Sequence, residues 1–385
     1  MKVAMLGWEF PPFVSGGLGV HCYELTKRLA ELGVLIDFYM PRARERPVSP
    51  HKNIRIVEVD ASYLSPYTGL KSEMRETYGW SFLEAVESYR RQVVAAVLAN
   101  VRGGARYDLM HNHDWLTVDA AGELKQKLSI PLVFTVHSTE YDRASVPWDR
   151  LLAVEKRGLA QADRIITVSN RMRERLMSMG ADDAKIRVIY NAVNVDDFEK
   201  YNGGVEGKRE KIVLFLGRLV EQKAPMQFLH AAKKVSGKMK GVRFVIAGTG
   251  DLLPQLISAS IHMGLQDVVT FTGYLSDEEQ RRAYASSDVY VMPSVSEPFG
   301  ITALEAMASG TPVIISKSSG VGEIVKNALR VDFWDVDELS NKIIGLLRYP
   351  VLRRELGKEE LKEVRKFTWR GTAARTLDVY KEVAR

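Results

Sequence analysis

The sequence of 385 residues contains a single cysteine, Cys22. One thiol excludes a disulfide framework and a cysteine-rich metal site, and leaves Cys22 as a buried structural residue or a catalytic thiol. Histidine is scarce, at seven. No apolar run is long enough to span a bilayer, and the opening MKVAMLGWEF reads as a first strand rather than a leader, so a cytoplasmic location is expected. A strong charge of either sign is also lacking. The 54 Lys and Arg against 48 Asp and Glu leave +6, an excess that suits a small anionic substrate and is too weak and dispersed for nucleic acid. Arg171, Arg173 and Arg175 read as a solvated helix face. What remains is an ordinary globular composition, 46% hydrophobic and 26% charged, in a chain too long for one compact core.

Short β-rich runs alternate with amphipathic helical runs. Strands are expected at 2–6, 34–40, 54–59, 108–112, 131–136, 164–168 and 186–190. Helices are expected at 18–32, 80–101, 116–128 and 149–161. In the first of these, Leu18, Cys22, Leu25, Leu29 and Leu32 recur at spacings of three and four. The alternation pauses at 191–211, where Asn, Asp, a Gly-Gly pair and a charge run read as a linker. It then resumes with strands at 212–217, 242–248, 268–273, 289–293 and 312–316. The intervening helices are expected near 224–239, 253–263, 277–286 and 300–309, and the segment from about 350 onward is helical. Such βαβ order implies parallel sheets covered on both faces. The expected fold class is α/β, with two Rossmann-like doubly wound domains facing across a cleft. Ligand-binding residues should then follow strands.

Several stretches do follow strands. In PPFVSGGLGVHCYEL, Gly16, Gly17 and Gly19 permit close backbone approach, and the helix behind them offers free N–H groups to phosphate. The plain alternative is a tight strand-to-helix turn. A dinucleotide fingerprint fits poorly, because the third glycine is absent and Asp37, the acidic residue at the right distance, falls inside its strand. In MHNHDW, His111, His113 and Asp114 look like metal ligands, yet no further cluster completes a set, so no metal is expected. Contacts to a hydroxylated ligand, or a structural turn, are the other readings. His137 ends the strand of FTVHS and is either structural or directed at a ligand. In LGRLVEQKAP, Arg218 and Lys223 suit a diphosphate, one as a planar fork and the other as a compact charge. A surface ion pair with Glu221 is the alternative.

The densest stretch is SVSEPFGITALEAMASGTPVI, residues 294–314. Pro298 biases Glu297 away from helical geometry and onto the loop. Phe299, Gly300 and Ile301 lead into a helix whose first N–H groups point the same way. Glu305, more than one turn inside, can accept two hydrogen bonds from a vicinal diol. The chemistry implied is one glutamate for a sugar, a helix N-terminus for phosphate and one glutamate for a ribose.

Glu297-x7-Glu305 with EPFG, the Arg218 and Lys223 pair, GGLG at 16–19, NAVNVDDF at 191–198 and the closing FTWRGTAARTLDVY resemble the retaining glycosyltransferases of GT-B architecture. HNHDW, FTVH and GGLG further resemble glycogen and starch synthases, with Ser15 where bacterial glycogen synthases carry a lysine. The resemblance spans essentially the whole chain. It implies an N-terminal acceptor-side domain at 1–200, a nucleotide-sugar donor domain at 201–365 and a last helix at 366–385 that returns to the first domain. Arg218 and Lys223 would hold the donor diphosphate, with backbone N–H groups at Gly17, Gly300 and Ile301. Glu305 would bind the ribose, Glu297 would face the transferred sugar, and Tyr274 would lie against the base. His137 would contact the sugar, and Asp114 would lie on the acceptor side. The expected reaction is metal-free transfer of glucose from UDP-glucose or ADP-glucose to an α-1,4-glucan, with no cofactor. A transferase of the same fold using another nucleotide sugar and a lipid, polysaccharide or small sugar-phosphate acceptor is the next reading. A nicotinamide-dependent oxidoreductase and a non-catalytic nucleotide-sugar sensor are the readings from other classes.

Overall fold

The computed structural model describes residues 1–12, 16–43, 46–62, 79–201 and 210–384. These fall into two compact units. The first comprises residues 1–141, 146–191 and 369–385, and the second residues 142–145 and 192–368. Ser15 lies outside the described residues, as does most of the second half of the expected linker.

The first unit is built on a seven-stranded sheet. Its strands are β1 (Lys2–Leu6), β2 (Leu35–Arg42), β3 (Ile54–Ser62), β4 (Leu109–His113), β5 (Leu132–Val136), β6 (Arg164–Thr167) and β7 (Ile186–Val188). They lie in the order β3-β2-β1-β4-β5-β6-β7, and every pair is parallel. Helices cover both faces, so the central strands are buried throughout: Val3 to Leu6 of β1 are fully buried. This is why those strands read as continuous apolar runs rather than alternating ones. β4 departs from that rule, because LMHNH places His111, Asn112 and His113 in a fully buried strand. Buried polar groups need partners, and His111 has two: Nδ1 meets Tyr380 Oη at 2.6 Å and Nε2 meets Thr135 Oγ1 at 2.6 Å. Tyr380 belongs to the last helix, Trp369–Val383, which packs in this unit, where Thr372 Oγ1 also donates to the Tyr190 carbonyl at 2.9 Å.

The second unit repeats the plan with six strands: β8 (Lys211–Leu216), β9 (Val242–Ala247), β10 (Val269–Gly273), β11 (Val289–Met292), β12 (Val313–Ser316) and β13 (Leu329–Val331). Their order, β10-β9-β8-β11-β12-β13, is again wholly parallel. Its core joins Val213, Phe215, Phe228, Phe244, Ile246 and Ile343. Three elements described here were not expected from sequence, among them the helix Val336–Arg348. β13 has only three residues, too few for any period to show. The helix Val195–Glu199 lies inside the expected linker, where its five residues are too short to carry a helical pattern.

In both sheets the strand order reverses between the first and fourth strands of the unit, at β1/β4 and at β8/β11. The loops leaving those strands diverge there, which is where a doubly wound sheet binds ligands.

Candidate active site

In the second unit, the β8/β11 switch point brings together most of the residues singled out in the sequence. Arg218 and Lys223 lie on the loop after β8, and Ser294–Gly300 on the loop after β11. Lys223 Nζ pairs with Glu297 Oε2 at 2.5 Å, so the ion pair is with Glu297 and not with the neighbouring Glu221. Glu297 is 6% exposed and also accepts from Ser294 Oγ at 3.2 Å. Its main chain forms an isolated parallel bridge with Ser319, and its carbonyl accepts from Gly320 N at 2.9 Å. The side chain is therefore fixed from the backbone outward, with a cation held against it.

Gln222 joins the two loops. Its Oε1 accepts from Arg218 Nη2 at 3.2 Å and its Nε2 donates to the Ser296 carbonyl at 3.1 Å. Its own carbonyl accepts from Val295 N at 2.9 Å. Sequence reasoning passed over this residue, since one glutamine between two charges carries no signal.

Gly300 has φ 109° and caps the helix Ile301–Ala308 without a side-chain hydrogen bond. Only glycine is at ease there. A Cβ would also stand 2.7 Å from Met292 Cε and 3.3 Å from Glu297 Cγ. The position thus keeps the first helical turn close to Glu297 and leaves its leading N–H groups uncapped by any side chain, a natural anion cradle. Phe299 is buried, and its carbonyl accepts from Val321 N at 2.7 Å, so it pegs the loop down. Ile301 is partly exposed at the helix start.

Glu305 keeps some exposed surface as a residue, yet burial of its carboxyl group pushes its pKa from 4.5 up to about 7. A hydrogen bond donated by Tyr284 Oη to Oε2 at 2.9 Å opposes that shift only in part. Tyr284 is fully buried, and its ring meets that of Tyr290 edge-on at 5.5 Å. Tyr274 stands at the end of β10, two strands from β8, with 65% of its surface exposed.

In the first unit, Gly16 and Gly17 open the helix Gly17–Glu31 after β1, again with no side-chain cap. Asp114 follows β4 with φ 53° and ψ 175°, a conformation that costs a non-glycine residue energy. What holds it is local: Asp114 N donates to the Thr135 carbonyl at 2.9 Å, and Oδ1 accepts from His137 N at 2.7 Å. Asp114 therefore fixes the exit of β5, the strand that carries His137 at its end. Burial drives the His137 pKa down to about 3, so its ring is neutral at pH 7 and serves as a hydrogen-bonding group rather than a cation.

The structure gives the polar residues of MHNHDW structural partners. His111 spends both ring nitrogens on Tyr380 and Thr135, and Asp114 is turned to the β5 backbone. A different set is assembled among the described residues: one ring nitrogen each from His21, His113 and His137 lie within 4.8 Å of one another. His21 sits on the buried face of the Gly17–Glu31 helix, beside Leu18 and Cys22, and only the folded sheet brings it to β4 and β5. Cys22 is fully buried, and burial foremost, then Glu9 and Asp114, push its thiol pKa well up, which leaves no reactive thiolate. Asp37 is committed as well. Its carboxylate takes both prongs of Arg55 at 2.9 and 2.7 Å and Tyr107 Oη at 2.6 Å, so it is not available to a ribose.

Residues 15–197 match the Glycosyltransferase Family 4 model, and residues 197–363 match Glycosyl transferases group 1. An uncharacterized glycosyltransferase of Methanocaldococcus jannaschii is 31% identical over 406 residues, covering 99% of this chain and 98% of that protein. The chain belongs to this glycosyltransferase family. A glycogen synthase of Mycobacterium tuberculosis is 28% identical over 401 residues, 99% of this transferase and 94% of that protein. Among solved structures, a sucrose-phosphate synthase from Thermosynechococcus elongatus superposes with a TM-score of 0.82 at 24% identity, over 99% of this chain and 98% of that one. The fold is GT-B, and the transferase is a nucleotide-sugar-dependent enzyme. No helix among the described residues is long and apolar enough to cross a membrane.

Proposed function

We propose that this transferase moves glucose from UDP-glucose or ADP-glucose to an α-1,4-glucan, with retention at the anomeric carbon and with no metal or cofactor in the reaction, in the cytoplasm. The observation that carries the proposal is the β8/β11 switch point, where Lys223, Arg218 and the uncapped start of the Ile301–Ala308 helix supply positive charge beside the clamped Glu297. Such preorganised donors stabilise a leaving diphosphate without reorganising during the reaction. Glu305 would take the ribose hydroxyls and Tyr274 the base. His137, neutral at pH 7, would hold a sugar hydroxyl, and Asp114 would position it through the β5 backbone. Gly17 and the helix it opens would offer N–H groups to an anion on the first unit.

In the proposed front-face step, the bond from the anomeric carbon to the diphosphate oxygen breaks with its electron pair. The acceptor hydroxyl oxygen bonds to that carbon on the same face, and its proton passes to the departing phosphate oxygen. The choice of a glucan acceptor draws on the glycogen synthase relative and on the HNHDW and FTVH stretches.

The test is nucleoside diphosphate release from UDP-glucose and from ADP-glucose, with and without glycogen, in EDTA. The expected result is release that rises at least tenfold with glycogen and survives the chelator. Release that glycogen fails to stimulate with either donor would overturn the glucan assignment and move the search to sugar-phosphate and lipid acceptors.

A further inference from the structure

The histidine cluster of the first unit has a property that sugar binding does not require. His21 Nδ1 donates to Asn191 Oδ1 at 2.7 Å, which fixes the tautomer and leaves a lone pair on Nε2. That Nε2 is buried and has no hydrogen-bond partner. Unpartnered buried nitrogens are rare in folded proteins and call for an explanation. His113 Nδ1 and His137 Nε2 share a hydrogen bond at 3.2 Å, with their rings at 15° to each other, and that shared proton is what a metal ion would replace. The rings of His21 and His137 approach to 4.3 Å.

We propose that His21, His113 and His137 form a binding site for a single zinc ion. Three neutral imidazoles with a fourth position left open match the donor set of an open zinc site. Tetrahedral Zn–N bonds place ligand nitrogens about 3.4 Å apart. The His113–His137 pair is already at 3.2 Å, and the widest separation in the cluster, at most 4.8 Å, needs to close by about 1.4 Å. Asn191 supplies the outer contact that zinc-binding histidines commonly have, an oxygen accepting from the ring nitrogen that faces away from the metal. His137, the partly exposed member, gives the ion its way in. If His137 holds a sugar hydroxyl as proposed above, zinc on its ring displaces that contact, and zinc acts as a reversible inhibitor of transfer. The binding itself does not rest on that reading.

The experiment uses the purified full chain stripped with EDTA. Cobalt(II) is added first, because a tetrahedral cobalt centre shows strong visible absorption, and zinc is then titrated by calorimetry with cobalt displacement as the second readout. The expected result is one zinc per chain, a tetrahedral cobalt spectrum that zinc abolishes, and an affinity at least 100-fold weaker in His21→Phe, which keeps the ring packing. Asn191→Ala, which leaves all three ligands in place, should weaken binding by about 10- to 100-fold. A cobalt spectrum without tetrahedral bands in the wild-type protein would overturn the proposal. So would a zinc affinity that both variants leave unchanged, which would place the ion on surface histidines.

Discussion

Replacing Lys223 with alanine should lower kcat by about 10²- to 10³-fold, the usual cost of losing one preorganised donor to a developing negative charge. The structure adds a complication and a way around it. In the free protein Lys223 neutralises Glu297, which is 6% exposed, so removing the lysine strands a buried carboxylate. Breaking a buried pair from one side costs about 3–5 kcal/mol. Part of any activity loss could then reflect a protein that is less folded. Pairing Lys223→Met with Glu297→Gln removes the stranded charge, and Glu297→Gln alone is the reference, because Glu297 is itself proposed to face the sugar. Chemical denaturation should show most of the lost stability restored in the double variant, while kcat stays at least 100-fold below that of Glu297→Gln. A double variant that recovers both would mean that Lys223 serves the fold and not the leaving group.

Glu305 carries the second large effect. Its carboxyl pKa is raised from 4.5 to about 7, with burial the foremost cause. The folded protein therefore binds this proton more tightly than the unfolded chain does. The resulting stability is fully present below about pH 4.5, fades as pH rises, and is gone above about pH 7. Relative to an uncharged residue, the ionised carboxylate costs roughly 3 kcal/mol at pH 8. Glu305→Gln should accordingly stabilise the free transferase by up to about 3 kcal/mol at pH 8 and hardly at all at pH 5, as read by denaturant midpoints. Donor binding should show the opposite demand. Two hydrogen bonds from a ribose diol need the carboxylate, so the apparent donor KM should fall about tenfold between pH 6 and pH 8. In Glu305→Gln that pH dependence should vanish, with affinity about 10- to 100-fold weaker at pH 8. A variant with neither gain in stability nor loss of donor affinity would remove Glu305 from the donor site.

The sequence made much of this legible, for identifiable reasons. Strands buried on both faces read as apolar runs, and most helices of ten or more residues showed their period; the helix expected at 149–161 is observed at Asp149–Gln161, whereas Val336–Arg348 was passed over. Glu297, Gly300 and Glu305 stood out because Pro298 and two glycines punctuate the stretch around them. β13 and the Val195–Glu199 helix were missed because three and five residues are too short to carry a pattern. Gln222, Tyr284, His21 and Asn191 were missed for a different reason. Each acquires its role from a partner distant in sequence: Ser296 for Gln222, Glu305 for Tyr284, and the His21–Asn191 pair, which spans 170 positions. The histidine cluster was hidden for the same reason. Neighbours in sequence, His111 and Asp114, turned to other partners, while His21 and His137 came together through the sheet.

The central claim is that the β8/β11 switch point holds a nucleotide diphosphate through Lys223, Arg218 and a helix N-terminus, with no metal. Calorimetric binding of UDP and ADP beside UMP and AMP, all in EDTA, tests it most directly. The account predicts that at least one diphosphate binds in the micromolar range, at least tenfold more tightly than its monophosphate. Equal affinity for diphosphate and monophosphate, or diphosphate binding that appears only when magnesium is added, would contradict it.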